Sequence, residues 1–173
     1  RITAAILLAP AGAPRDGKRV KTGFRMIDLA RIRGVRDVTM RLTPRFIVRR
    51  ALQQVYGDPT KLSDETVRRH HRMLLRAGNR QALVDAMSRR RGSAPAVSPS
   101  EVRQPTLLQW GELDTWIPVG DAARFAAVMP NAETILYSDL GHVPMEEAPE
   151  RTARDARDFL RRHGLSDTTP TSP

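Results

Sequence analysis

Two apolar runs in this chain end in glycine turns that display reactive side chains. Leu107-Leu108-Gln109-Trp110-Gly111-Glu112-Leu113-Asp114 carries a carboxylate just past a buried-strand pattern. Leu140-Gly141-His142-Val143-Pro144-Met145-Glu146-Glu147-Ala148-Pro149-Glu150 carries an imidazole just before a helix signal. Short apolar runs bounded by turn residues read as buried strands. Strands alternating with helices imply parallel pairing through right-handed crossovers. Open parallel sheets present their functional groups at the carboxyl ends of the strands. Asp114 and His142, 28 residues apart, are therefore expected side by side at one rim of a sheet.

The rest of the chain fits around these segments. Residues 3–9 read as a first strand. Residues 24–33 and 35–42 read as short helical pieces broken by Gly34. Thr43 offers an N-cap and Pro44 a first-turn proline for a helix reaching Tyr56, stopped by Gly57-Asp58-Pro59. Ser63 caps the next helix, with Asp64 and Glu65 at its positive end and Val67, His71, Leu74 and Leu75 on one face. Gly78 stops it, and Asn79 opens a further helix carrying Leu83, Val84 and Met87. Residues 91–104 read as a linker. Strands are expected at 105–110 and 133–138, and helices at 119–129 and 148–163. The last helix offers Glu150–Arg154, Arg151–Asp155 and Asp158–Arg162 pairs, with an inner face of Ala153, Ala156, Phe159 and Leu160. The tail from Ser166 is rich in Thr, Ser and Pro and reads as disordered.

Composition narrows the function classes. At 40% hydrophobic and 28% charged residues, the chain can build a core. It has no cysteine, which excludes disulfides, thiol chemistry and Cys-ligated metals. No apolar stretch approaches the roughly 18–20 residues of a transmembrane helix. Ala9-Pro10-Ala11 resembles a signal-peptide cleavage site, but residues 3–9 read better as a buried strand, and a cytoplasmic location is expected. The formal charge of +10 is concentrated in residues 15–103, which hold 22 Lys and Arg against eight Asp and Glu. With few aromatics to stack bases and no recognisable nucleic-acid module, this reads as a solvated Arg-rich helical surface, with no nucleic-acid partner expected. His70 and His71 are adjacent on a helix and point in different directions, so a metal pair is not expected. His163 sits at a helix end as a partner for its negative pole.

Taken in order, Pro105 to Asp114, Ile117-Pro118, Pro130-Asn131-Ala132 and Gly141-His142-Val143-Pro144, followed by Glu147 and Pro149, resemble the C-terminal part of the cap-containing α/β-hydrolase family, serine-hydrolase type. Leu7-Leu8-Ala9-Pro10-Ala11-Gly12 looks like the strand and loop that precede the cap. The resemblance implies a partial α/β fold: about three parallel strands with flanking helices and an inserted all-helical cap. Residues 1–14 would belong to the core, 15–103 to the cap and linker, 104–165 to the C-terminal core and 166–173 to a tail. It also implies Asp114 as the acid and His142 as the base of a Ser-His-Asp triad. Trp116 and Val143 would stand at the substrate, a small apolar ester-like molecule, and no cofactor would be needed. Glu112 and Asp139 are nearby carboxylates that could be mistaken for the acid, while Glu146 and Glu147 read as starting the final helix.

The family's Gly-x-Ser-x-Gly nucleophile motif is absent from these 173 residues, as is its His-Gly oxyanion loop. The expectation is a fragment whose partner is the missing N-terminal half of the same fold. Alone it would be inactive, and its first strand would lie at an open edge. Alternatives at this point are a fragment of an Asp-nucleophile dehalogenase or epoxide hydrolase, and a non-catalytic truncated product. Epoxide hydrolases of this fold generally use two cap tyrosines, and Tyr56 is the only tyrosine in the cap region.

Overall fold

A computed structural model describes residues 2–14, 42–89 and 97–165. Three parallel strands form one sheet in the order β1 (Ala5–Leu8), β2 (Thr106–Gly111), β3 (Ala132–Tyr137). The register sets Ala5 opposite Thr106 and Thr106 opposite Ala132. All six residues of β2 are buried, because it has a strand on each side and a layer on each face. Its side chains alternate between faces. Leu108 and Trp110 join Ala122, Phe125 and Met129 in a cluster under α4 (Gly120–Val128). On the opposite face the amide of Gln109 donates to Thr152 O (2.9 Å) in α6 (Pro149–Arg162). The sheet is thus sandwiched between helices, and the expected α/β class, in partial form, is what the chain adopts. As expected, β1 stands at one end of the described sheet and is only half-buried.

Between β1 and β2 lies a helical block. Its α-helices among the described residues are α1 (Arg45–Val55), α2 (Asp64–Leu75) and α3 (Asn79–Arg89). α1 buries Val48, Leu52 and Val55, spaced four and three apart, and these meet Tyr56, Leu62 and Val67 in a second cluster. The Ser63 hydroxyl accepts from Thr66 N (3.0 Å), the expected N-cap. Gly78 ends the second helical stretch with φ at +81°, where a side chain would be strained. A short α5 (Pro144–Glu147) follows the His142 turn and leads into α6.

Several expectations need correction. Thr43 does not cap α1: Pro44 holds the cap position, with no side-chain cap bond, and Thr43 O meets His71 Nε2 (2.8 Å). Leu75 is exposed, because α2 turns only Val67 fully inward, with His71 and Leu74 half-buried. Leu83 is also exposed. In α6 Ala153 faces solvent and Thr152 takes the inner position, in line with Phe159 two turns on. The expected i,i+4 pairs give way to contacts between elements: Arg151 bonds Asp139 (2.6 Å) and Arg162 bonds Glu133 (2.6 Å). Asp158 meets Arg161 (2.7 Å). The piece placed at 24–33, all of that placed at 35–42 except Leu42, residues 91–96 of the linker and the tail lie outside the described residues, as do the side chains of Val84 and Met87.

Candidate active site

Asp114 follows β2 in a tight turn, where its N–H bonds Gly111 O (3.3 Å). Its side chain is fully buried and entirely engaged. One oxygen, Oδ1, accepts from Trp116 N (2.7 Å) and Ile117 N (2.9 Å). The other, Oδ2, lies 2.8 Å from His142 Nδ1. Two backbone donors hold the carboxylate rigid and leave its second oxygen aimed at the ring. A buried carboxylate is tolerable only when its lone pairs are met in this way.

His142 comes from the turn after β3 and approaches from the neighbouring strand tip. Its ring is about a fifth exposed, at 22%. With Nδ1 against Asp114, the nitrogen left to exchange a proton with a reactant is Nε2. Trp116 stacks on the ring at 5.4 Å between centroids and 29° between planes. Trp116 and Val143 both pack on the apolar cluster of α1 and α2, so the two residues expected at the substrate lie where the helical block meets the dyad.

Glycine allows the turns to approach this closely. A Cβ on Gly111 would strike the carbonyls of Leu140 and Gly141, and one on Gly141 would strike Gly57 N and Val55 O. Three chain segments, from β2, β3 and α1, therefore meet backbone to backbone beneath the dyad.

The other carboxylates sort clearly. Glu112 is exposed, and Asp139 pairs with Arg151, whose guanidinium holds its carboxyl below the usual range. Neither bonds His142; among the described residues Asp114 alone is hydrogen-bonded to its ring. His163 Nε2 meets Glu133 Oε1 (2.8 Å), and this bond, with Arg162 beside it, depresses the Glu133 carboxyl.

Glu146 and Glu147 sit in the first turn of a helix, as expected, but that turn is α5 rather than the final helix, and their side chains do more than face its dipole. Glu146 accepts from Tyr56 OH (3.1 Å) and contacts His70 Nε2 (3.0 Å) and Arg69 (3.1 Å). Glu147 is buried and accepts from Gly141 N (2.7 Å), Gly57 N (2.9 Å) and Asp58 N (3.3 Å). Burial, and next the Glu146 charge, push the Tyr56 phenol up to about 12. Apart from Gly141, six residues before Glu147, the partners lie 76 to 90 residues away along the chain, beyond the reach of sequence reasoning.

A parallel sheet flanked by helices on both faces, with an acid and an imidazole at adjacent strand tips and a helical insertion beside them, defines part of the α/β-hydrolase fold. Comparison with known proteins agrees. The esterase of Exiguobacterium antarcticum matches with a TM-score of 0.71 at 12% identity, over 92% of this chain and 57% of that one. The Moraxella Lipase 3 is 41% identical over 61 residues, 35% of this chain and 19% of its own length. A 2-hydroxy-6-oxononadienedioate/2-hydroxy-6-oxononatrienedioate hydrolase of Paraburkholderia xenovorans is 28% identical over 116 residues, 65% of this chain and 40% of its own. The chain spans about half the length of the solved structures it matches, and less of the curated relatives. No protein-family model matches it. The relatives are hydrolases by name. Among the described residues, no helix is long and apolar enough to cross a membrane.

Proposed function

We propose that this chain supplies the acid and the base of a Ser-His-Asp triad that hydrolyses an ester or a similar carbonyl bond. The observation that supports it most is the 2.8 Å approach of His142 Nδ1 to a fully buried Asp114 carboxylate whose other oxygen is pinned by backbone. In this reading a serine hydroxyl, from outside these 173 residues, attacks the carbonyl carbon. Its proton passes to His142 Nε2 as the new C–O bond forms. His142 then returns that proton to the leaving alcohol as the scissile C–O bond breaks. Water repeats the cycle and frees the serine. Asp114 fixes the ring tautomer and stabilises the imidazolium between the two transfers.

The helical block between β1 and β2 would act as the cap in this reading, with Trp116 and Val143 at the substrate. A small apolar ester suits such a boundary, since both residues already pack on the block's apolar cluster. No cofactor enters these steps.

The test is hydrolysis of p-nitrophenyl esters by the intact protein that contains this chain. His142→Ala should lower kcat by at least about a thousandfold, in keeping with loss of a triad member. Unchanged turnover in that variant would refute the role. The 173 residues by themselves should show no His142-dependent turnover, because the attacking alcohol and the donors for a developing oxyanion are not expected among them.

A further inference from the structure

The last carbonyls of a helix have no partner within it and must find one elsewhere. The last two of α1 find theirs at the two turns that carry the dyad. Gln54 O accepts from Thr115 Oγ1 (2.7 Å), next to Asp114, and Val55 O accepts from His142 N (2.7 Å). The backbone donors just past the helix are taken up as well. Gly57 N and Asp58 N donate to Glu147 Oε2, while Gly141 N, the residue before His142, donates to Oε1 of the same side chain (2.7 Å). One buried carboxylate therefore straps the end of α1 to the peptide that immediately precedes the imidazole.

We propose that Glu147 is a positioning residue. It locks the C-terminal end of α1 onto the His142 turn, so that the seating of the helical block sets the Asp114–His142 geometry. This rests on the acid–base reading above, and it adds a mechanical link between the block and the chemistry. Glu147 does not touch the dyad side chains. It acts through Gly141 and through the peptide at 57–58. The glycines make the link short: a Cβ on Gly57 would lie 2.7 Å from Gly141 N, so no side chain intervenes between the two segments.

Glu147→Gln keeps the shape and replaces one acceptor oxygen with a donor, which sets an N–H against a backbone N–H. In the intact protein, the 15N and 1H resonances of the His142 ring should shift. A displacement of about 1 Å at a reacting group can cost about a hundredfold in rate, so kcat/KM for a p-nitrophenyl ester should fall about ten- to a hundredfold, carried by kcat. A lowered melting temperature with unchanged His142 ring signals and unchanged kcat/KM would reduce Glu147 to a structural residue and overturn the proposal. Should Glu147→Gln fail to fold, Gly57→Ala separates the same segments without touching the carboxylate. It should give the same displacement of the ring signals, and an unmoved His142 spectrum would overturn the proposal. The ring signals do not depend on turnover. If the parent protein hydrolyses no ester and Glu147→Gln still moves them, the positioning role stands and the hydrolase reading falls.

Discussion

The two apolar clusters of the molecule are held in different ways. Around β2, hydrogen-bond ladders close both sides of the strand and helices close both faces, so six consecutive residues are buried. In the helical block, α2 fully buries only Val67, and α1 shows Phe46 to solvent at 69% exposure. The centre of the sheet is enclosed on every side, while β1 at its end is only half-buried. The block leans on what it docks against, and part of what it docks against is the His142 turn. The Asp114–His142 pair and the helical block meet along a seam of glycine backbone and one carboxylate.

That contrast can be broken experimentally. Phe159→Ala, at a fully buried position of α6, should cost about 3–5 kcal/mol in urea unfolding and destabilise the sheet cooperatively. Val67→Ala should cost less, about 2 kcal/mol, and should raise amide exchange in α1 and α2 before β2. Equal loss of protection in both regions would show that the block and the sheet unfold as one unit.

Tyr56 sharpens the comparison through pH. Its phenol is raised above its unfolded value of 10.0 to about 12, first by burial and then by Glu146. The neutral form is thus favoured in the folded state. That contribution is complete below pH 10 and is lost as pH rises from 10 through about 12. Tyr56→Phe should therefore flatten part of the alkaline decline in stability, and an identical decline in parent and variant would contradict the assignment. The smallest effect is expected at the surface. Arg162→Ala removes a half-exposed pair with Glu133 and should change stability by at most about 1 kcal/mol, less at high salt.

The sequence made the strands and the dyad legible because both depend on local signals. An apolar run followed by Gly111-Glu112-Leu113-Asp114 announces a strand and its turn, and Gly141-His142 does the same for the next. The helices were legible by period and caps, as at Ser63 and Gly78. What could not be read was the docking of one element on another. α6 carries charges at i,i+4 spacing, yet Arg151 and Arg162 reach across to Asp139 and Glu133, because partners on the neighbouring strand and loop lie in reach. Glu147 looked like a first-turn acid suited to a helix dipole. Its three backbone partners come from two segments that only the fold brings together. Gly57 read as a helix stop, and its second role, permitting contact with Gly141, carries no local signature.

The most direct test of the account is Asp114→Asn in the intact protein. The amide preserves volume, but with its oxygen held by Trp116 N and Ile117 N it turns an N–H toward His142 Nδ1, which must then accept, so the ring is held in the wrong tautomer. With a p-nitrophenyl ester, kcat should fall by about ten-thousandfold while the fold, read by circular dichroism, is retained. A folded Asp114→Asn protein whose kcat stays within about threefold of the parent would contradict the pairing as the source of the chemistry.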